Sequence, residues 1–446
     1  MSSLLFRQAE VVNEGKRVVA DVLVRDGRIV EVGSVSVTAD REIDARGKLL
    51  LPGLIDDQVH FREPGLMHKG ELATESRAAV AGGVTSYMEM PNTIPNATTN
   101  ALLDAKFERA AAVSPANFSF FLGATPNNVD EIKALDVRKV CGVKIFMGSS
   151  TGDLLVDQPA ALERIFAHAP VPIATHCEDN PMIKGAEAAA RAKWGEDVPA
   201  LEHAQIRGRE ACYKSTLMAI SLARRTNARL HVLHITTADE ASLFSPGPVK
   251  GKRVTAEACV HHLWFDDRSY AALGHRIKCN PSIKEPADRA AIRRAVAEGR
   301  IDIIATDHAP HTAEEKAQTY FKAPAGLPLI QHSLLILLDL WKQGVLTLET
   351  LVTRASHAPA DLFGIVDRGR IRPGMWADLV LVDPNQPTLV TRESLLFKCG
   401  WSPFEGHTFS SSIQLTVVNG NIVYENGKLR EDAPRGRALE FLPNRR

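Results

Sequence analysis

The sequence predicts an α/β protein: a (β/α)8 barrel of TIM type over residues 53–365, joined to a small composite β-sandwich built from residues 1–52 and 366–446. Three observations predict it. Short alternating apolar segments crowd both ends of the chain. Eight apolar strand candidates, most of them followed by a helical pattern, fill the middle. Polar residues of related chemistry sit at the C-terminal ends of those middle strands. Strands alternating with helices form either a closed barrel or an open doubly wound sheet. Only the barrel gathers every C-terminal strand end on one face, where chemistry belongs.

The elements follow in order. Residues 18–24 and 28–32 flank Asp26-Gly27, a hairpin signal. The apolar run Leu49-Leu50-Leu51-Pro52-Gly53-Leu54-Ile55 leads into the first barrel strand, 53–60, which ends abruptly in His60-Phe61-Arg62-Glu63-Pro64-Gly65. The remaining barrel strands are 84–90, 118–123, 143–147, 171–176, 230–235, 254–259 and 301–307. Helical patterns occupy 71–81, 101–112, 159–167, 210–225 and 287–298, with further helix at 334–340 and 346–355. The tail returns to strands at 377–383 and in a hairpin, 414–418 and 421–424, around Asn419-Gly420.

Composition narrows the function. The chain has 446 residues, 45% apolar and 24% charged, which is ordinary for a globular protein with a large core. Its 53 basic and 53 acidic side chains cancel, so no global field draws it to nucleic acid or membrane. No apolar stretch approaches the ~20 residues of a membrane helix, and no secretory leader is read at the N-terminus. Cys141, Cys177, Cys212, Cys259, Cys279 and Cys399 are scattered without zinc-ribbon spacing, as expected of reduced thiols in a cytoplasmic protein.

The strand ends present His60, Lys144, His176, His234 and Asp307. Imidazole and carboxylate are ligands for zinc and similar ions. One strand histidine is usually a hydrogen-bonded core residue, and His231, His261, His262 and His308 are read that way or as support for ligands. Three histidines and one aspartate at corresponding strand ends point instead to a metal centre. Lys144 lies inside the apolar strand Val143-Lys144-Ile145-Phe146-Met147. Burial disfavours its ammonium form. It is either a lysine paired to a carboxylate at the barrel mouth or a neutral amine able to form a carbamate with carbon dioxide. Arg62 has the planar fork that grips a carboxylate, or else pairs with Glu63. The polar segment 312–326 is either an active-site loop that closes over substrate or a plain surface loop.

These motifs, with Met90-Pro91-Asn92-Thr93, Ala174-Thr175-His176-Cys177-Glu178, His231-Val232-Leu233-His234, Asn280-Pro281 and Thr306-Asp307-His308-Ala309-Pro310-His311, resemble the amidohydrolase superfamily, and within it the dihydroorotase group of cyclic-amide hydrolases. The resemblance spans nearly the whole chain. It implies one or two Zn2+ ions held by His60, Lys144, His176, His234 and Asp307, with Lys144 carboxylated and bridging. It implies Asp307 as the catalytic proton carrier. It implies Arg62, Asn92 and His311 on a substrate carboxylate and Asn280 on the ring. The implied substrate pair is dihydroorotate and N-carbamoyl-L-aspartate, and the implied assembly is a homo-oligomer, a dimer. One departure stands out: the group's usual His-x-His on the first strand is Gln58-Val59-His60 here, so one metal is expected to bind loosely or not at all. Hydantoinases, dihydropyrimidinases and allantoinases share the metal set and are the nearest alternatives, and a non-catalytic homologue acting as a partner scaffold is the remaining one.

Overall fold

The structure is a computed structural model describing residues 3–148 and 154–446. Its centre is a barrel of eight parallel strands: Leu54–Val59, Val84–Glu89, Asn117–Gly123, Gly142–Phe146, Ile173–His176, Leu230–Val232, Val254–Cys259 and Ile303–Ala305. Each pairs with the next in sequence. The eighth closes on the first through a parallel bridge between Val59 and His308, where the His60 amide donates to the His308 carbonyl at 2.7 Å. All eight expected strands are present. The sixth and eighth stop short of their expected ends. There His234 (φ 42°) and Asp307 (φ 48°) turn into the left-handed region and leave the ladder.

Helices cover the barrel where the sequence supplies starts and stops. Thr99 caps Asn100–Val113 by accepting from the Leu102 amide, and Pro159 and Pro286 occupy first-turn positions that need no amide donor. Arg209–Thr226 and Pro286–Glu298 end at Asn227 and Gly299, both left-handed. The sequence reading omits one long helix, Asn180–Trp194, which is capped by Asp179. It is rich in alanine and charged residues, and only Asn180, Ile183 and Ala190 are buried, so it offers few large apolar side chains to read.

The two chain ends join in one nine-stranded sheet. From edge to edge it runs Lys428–Leu429, Asn421–Glu425, Ser412–Val418, Leu379–Asp383, Leu49–Pro52, Ser3–Asn13, Lys16–Arg25 and Arg28–Gly33, with Arg41–Asp44 also beside Ser3–Asn13. Strand alternation divides its faces. Leu50, Leu379, Leu381 and Leu415 pack with Phe6 and Val22 in the sheet's own core, while Leu49, Leu51, Val380 and Val382 join the barrel's. The sequence reading passes over the longest strand, Ser3–Asn13, because a bulge between Phe6 and Ala9 breaks its period of two.

The C-terminal segment leaves this sheet and crosses the barrel floor. Gly436 passes so close to Ala116 that a Cβ would lie 2.0 Å from its carbonyl oxygen. Leu439 and Phe441 are buried against the floor, and the Arg445 guanidinium donates to the carbonyls of Cys141 (2.9 Å) and Val140 (2.7 Å). Among the described residues no helix is long and apolar enough to cross a membrane. All six cysteines are free, five of them buried.

Candidate active site

The C-terminal ends of the barrel strands surround a cavity lined by Gln58, His60, Arg62, Asn92, Lys144, His176, His234, Asn280 and Asp307. Barrel closure puts the two most distant motifs side by side. The His60 Nε2 atom lies 3.1 Å from Asp307 Oδ1, and His60 Nδ1 lies 2.6 Å from Asn92 Oδ1. Asn92 therefore takes the Nδ1 proton, and Nε2 faces Asp307: protonated it donates to the carboxylate, and neutral it offers a lone pair to a cation. Across the mouth, His176 Nδ1 is 3.0 Å from His234 Nε2, and His176 Nε2 donates to Glu178 at 2.9 Å. Ligating histidines usually give their other N–H to a carboxylate in this way. Glu178 is in turn held by Arg207 at 2.6 Å. The sequence reading missed this Glu178–Arg207 support, although Glu178 stands two residues past His176 in a motif it quotes.

Three site residues have strained backbones. Arg62 (φ 71°), His234 and Asp307 all have positive φ, which non-glycine residues rarely adopt. Such conformations persist where surrounding structure over-determines them, and they cluster at functional sites. Here the His234 amide is fixed by Glu257 Oε1 at 3.1 Å.

Burial sets the electrostatics. The Lys144 ammonium, 1% exposed, is pushed down to about 8 by desolvation, against the attraction of Asp307 and Glu257. Desolvation also lowers His60, favouring the neutral ring that binds cations. At Asp307 burial works upward, but the hydrogen bond and charge of His60 overcome it, so the carboxylate form is favoured. At Glu178 burial again works upward, and Arg207 with His176 brings the carboxyl down to about 2.

Gln58 is turned away from the role of an oxygen ligand. Its Nε2 donates to Asp307 Oδ1 at 3.2 Å, and its Oε1 faces the Cys259 thiol at 3.9 Å. Arg62 is 2% exposed, and its Nε donates to the Pro310 carbonyl at 3.1 Å. His311 stands behind Arg62, with Nε2 3.1 Å from the guanidinium, and is braced by Lys69 Nζ at 3.1 Å; it does not line the cavity. The surroundings of Asn280 assign its amide: with nitrogen toward the Cys279 carbonyl (3.0 Å) and oxygen toward Arg207 (3.2 Å), both of its polar atoms are satisfied. Ala325 and Gly326, at the end of segment 312–326, also line the cavity. Of the other histidines, His308 is a hydrogen-bonded core residue, 2.8 Å from Glu75 and accepting from the Leu329 amide.

Nitrogen and carboxylate donors gathered at the mouth of a (β/α)8 barrel define a barrel enzyme with its chemistry at the C-terminal face. The chain belongs to the amidohydrolase family, whose profile matches residues 49–423. It is 33% identical over 423 residues to a dihydroorotase of Halobacterium salinarum, covering 92% of this chain and 96% of that one. It is 31% identical over 444 residues to an allantoinase of Bacillus velezensis, covering 98% and 97%. Among solved structures, the L-hydantoinase (dihydropyrimidinase) of Arthrobacter aurescens superposes with a TM-score of 0.92 at 26% identity, over 99% of this chain and 100% of that one.

Proposed function

We propose that this amidohydrolase opens a cyclic amide, and that its substrate is L-dihydroorotate, interconverted with N-carbamoyl-L-aspartate in pyrimidine synthesis. The observation that carries the reading is Arg62, a buried guanidinium lining the cavity beside His60 and Asp307. A buried cation without an anion is costly, and a substrate carboxylate satisfies it with two parallel hydrogen bonds. The ring-amide substrates hydantoin, dihydrouracil and allantoin carry no carboxylate at that place. Asn92 and Asn280 line the same cavity and offer amides to the rest of the substrate.

The donor set fits divalent zinc. His60 through Nε2, His176 through Nδ1, His234 through Nε2, and Asp307 would hold the ion, and Lys144 would join them as its carbamate. Depression of the lysine ammonium enlarges the neutral amine fraction that reacts with carbon dioxide. The bound cation supplies Lewis acidity, polarising the amide carbonyl and acidifying a water. Asp307 removes a proton from the attacking water as the new C–O bond forms. It then delivers that proton to the ring nitrogen as the C–N bond breaks. Gln58 donates to Oδ1, which leaves Oδ2 to carry the proton. In the synthetic direction the same residues run the steps backwards. The free, mostly buried cysteines support a reducing compartment, so the reading includes a cytoplasmic enzyme, and we assign it a homodimeric state.

The allantoinase and hydantoinase similarities favour a second reading, hydrolysis of a neutral cyclic ureide. Purified enzyme assayed side by side on dihydroorotate, hydantoin, dihydrouracil and allantoin separates the two. The proposal requires the highest kcat/KM on dihydroorotate. Faster turnover of a neutral ring refutes it.

A further inference from the structure

Below the mouth, inside the barrel, three charged side chains meet in complete burial. Asp57 comes from the first strand, His231 from the sixth and Glu257 from the seventh, and each is 0% exposed. None lines the cavity at the mouth, although Glu257 Oε1 also holds the His234 amide. His231 Nε2 lies 3.1 Å from Asp57 Oδ2 and 3.8 Å from Glu257 Oε2, and one ligand atom from each residue lies within 4.8 Å of the others. Both oxygens of Asp57, Oε2 of Glu257 and Nε2 of His231 have no partner outside this trio. Burial works against the His231 imidazolium, but Asp57 and Glu257 overcome it and push the ring up to about 9, so without a metal the proton of His231 is the cation among the carboxylates. Two buried carboxylates demand a positive charge among them, and one imidazolium proton balances only half of their charge, whereas a divalent cation balances both.

We propose that Asp57, His231 and Glu257 form a second divalent-cation site, of zinc type, enclosed in the barrel. The orientation of His231 supports it. The Thr255 hydroxyl gives its hydrogen to the Leu230 carbonyl at 3.1 Å, so at His231 Nδ1, 2.9 Å away, it accepts. That fixes a proton on Nδ1 and leaves Nε2 facing the two carboxylates, where a bound cation would take the place of the Nε2 proton, in the orientation ligating histidines adopt. Spacing supports it too. Zinc–nitrogen and zinc–oxygen bonds in tetrahedral geometry set ligand atoms about 3.3–3.5 Å apart, and the observed 3.1 and 3.8 Å lie on either side. Glu257 divides its oxygens: Oε1 holds the His234 amide, and Oε2 faces His231. A cation here ties the strand that bears His234 to the first strand, and its enclosure makes it exchange only when the barrel opens.

The test uses full-length enzyme produced with zinc. Anomalous diffraction at the zinc edge is expected to show a peak among Asp57, His231 and Glu257, separate from any at the mouth. Asp57→Asn removes that inner peak and leaves the mouth unchanged. If that variant does not fold, the wild type decides alone. After chelator has stripped the native protein, denaturation releases one further equivalent of zinc to a colorimetric dye. An inner region with no anomalous peak, or no zinc released on denaturation, overturns the proposal and leaves His231 as a protonated partner of the two carboxylates.

Discussion

Gln58 shows what one residue does to a ligand set. Its amide nitrogen anchors Asp307 Oδ1, whereas an imidazole at the same place would offer a lone pair to a cation. Graded chelation is therefore expected to remove metal in two steps, the ion beside His60 and Asp307 first. Gln58→His should merge the steps or raise the metal content. One tightly held pair in the wild type, unchanged by the substitution, counts against this role. At Arg62 the planar fork matters as well as the charge. Arg62→Lys is expected to lower kcat/KM for dihydroorotate by the worth of a charge-assisted bond, about 1.5–3 kcal/mol, and to change activity on neutral rings little. Lys144→Ala should lose both metal and turnover, with partial rescue by short carboxylic acids. Wild-type turnover in that variant would exclude the carbamate. These residues were legible because each breaks a local rule: a charged or ligating side chain ends or interrupts an apolar strand. Glu178, Arg207 and Asp57 were not singled out. Their partners lie far away in sequence, and a lone carboxylate beside a histidine has no periodicity to betray it.

Among the elements, segment 312–326 is stapled by two buried lysines. Lys316 Nζ donates to the carbonyls of Lys278, Pro324 and Gly326, each at 2.9 Å. Lys278 Nζ donates to the Ala323 carbonyl at 2.7 Å. His203 adds a 2.7 Å contact to the Tyr320 hydroxyl. Burial pushes the Lys316 ammonium down to about 7, so each of its bonds counts as an ordinary one of about 0.5–1.5 kcal/mol, and a buried carbonyl left without a donor costs about 1–3 kcal/mol. Lys316→Met should therefore loosen this segment over the cavity. Limited proteolysis is expected to cut within 312–326 sooner, and KM to rise, while the thermal midpoint of the barrel moves little. Equal proteolysis of variant and wild type would show that the segment is held by its packing alone. The sequence reading identified the segment by composition. It had no means of finding the staples, since the lysines grip carbonyls, which every residue carries.

Over the whole molecule, the chain ends decide how barrel and sheet hold together. The C-terminal segment plugs the barrel floor opposite the site, with Leu439 and Phe441 buried and Arg445 holding floor carbonyls. Each buried side chain of this size contributes about 1.5–3 kcal/mol. Truncation after Arg437 is therefore expected to lower the denaturation midpoint by several kcal/mol's worth, while the folded fraction keeps its kcat because the mouth is untouched. A parallel loss of kcat and stability would show that floor and mouth are coupled.

By itself the sequence determined the eight barrel strands, most of the longer helices between them, the hairpins of the terminal sheet and most of the side chains that line the cavity. Periodicity is local, and a (β/α)8 topology sends every strand's C-terminal end to one face. Only the tertiary structure decided which of those side chains touch. Barrel closure between Val59 and His308 sets His60 against Asp307, and the backbone turns at Arg62, His234 and Asp307 aim them. Closure also brings Asp57 to His231 across the interior and places His311 behind Arg62. Such pairings depend on distances between strands far apart in the chain, and no local pattern encodes them.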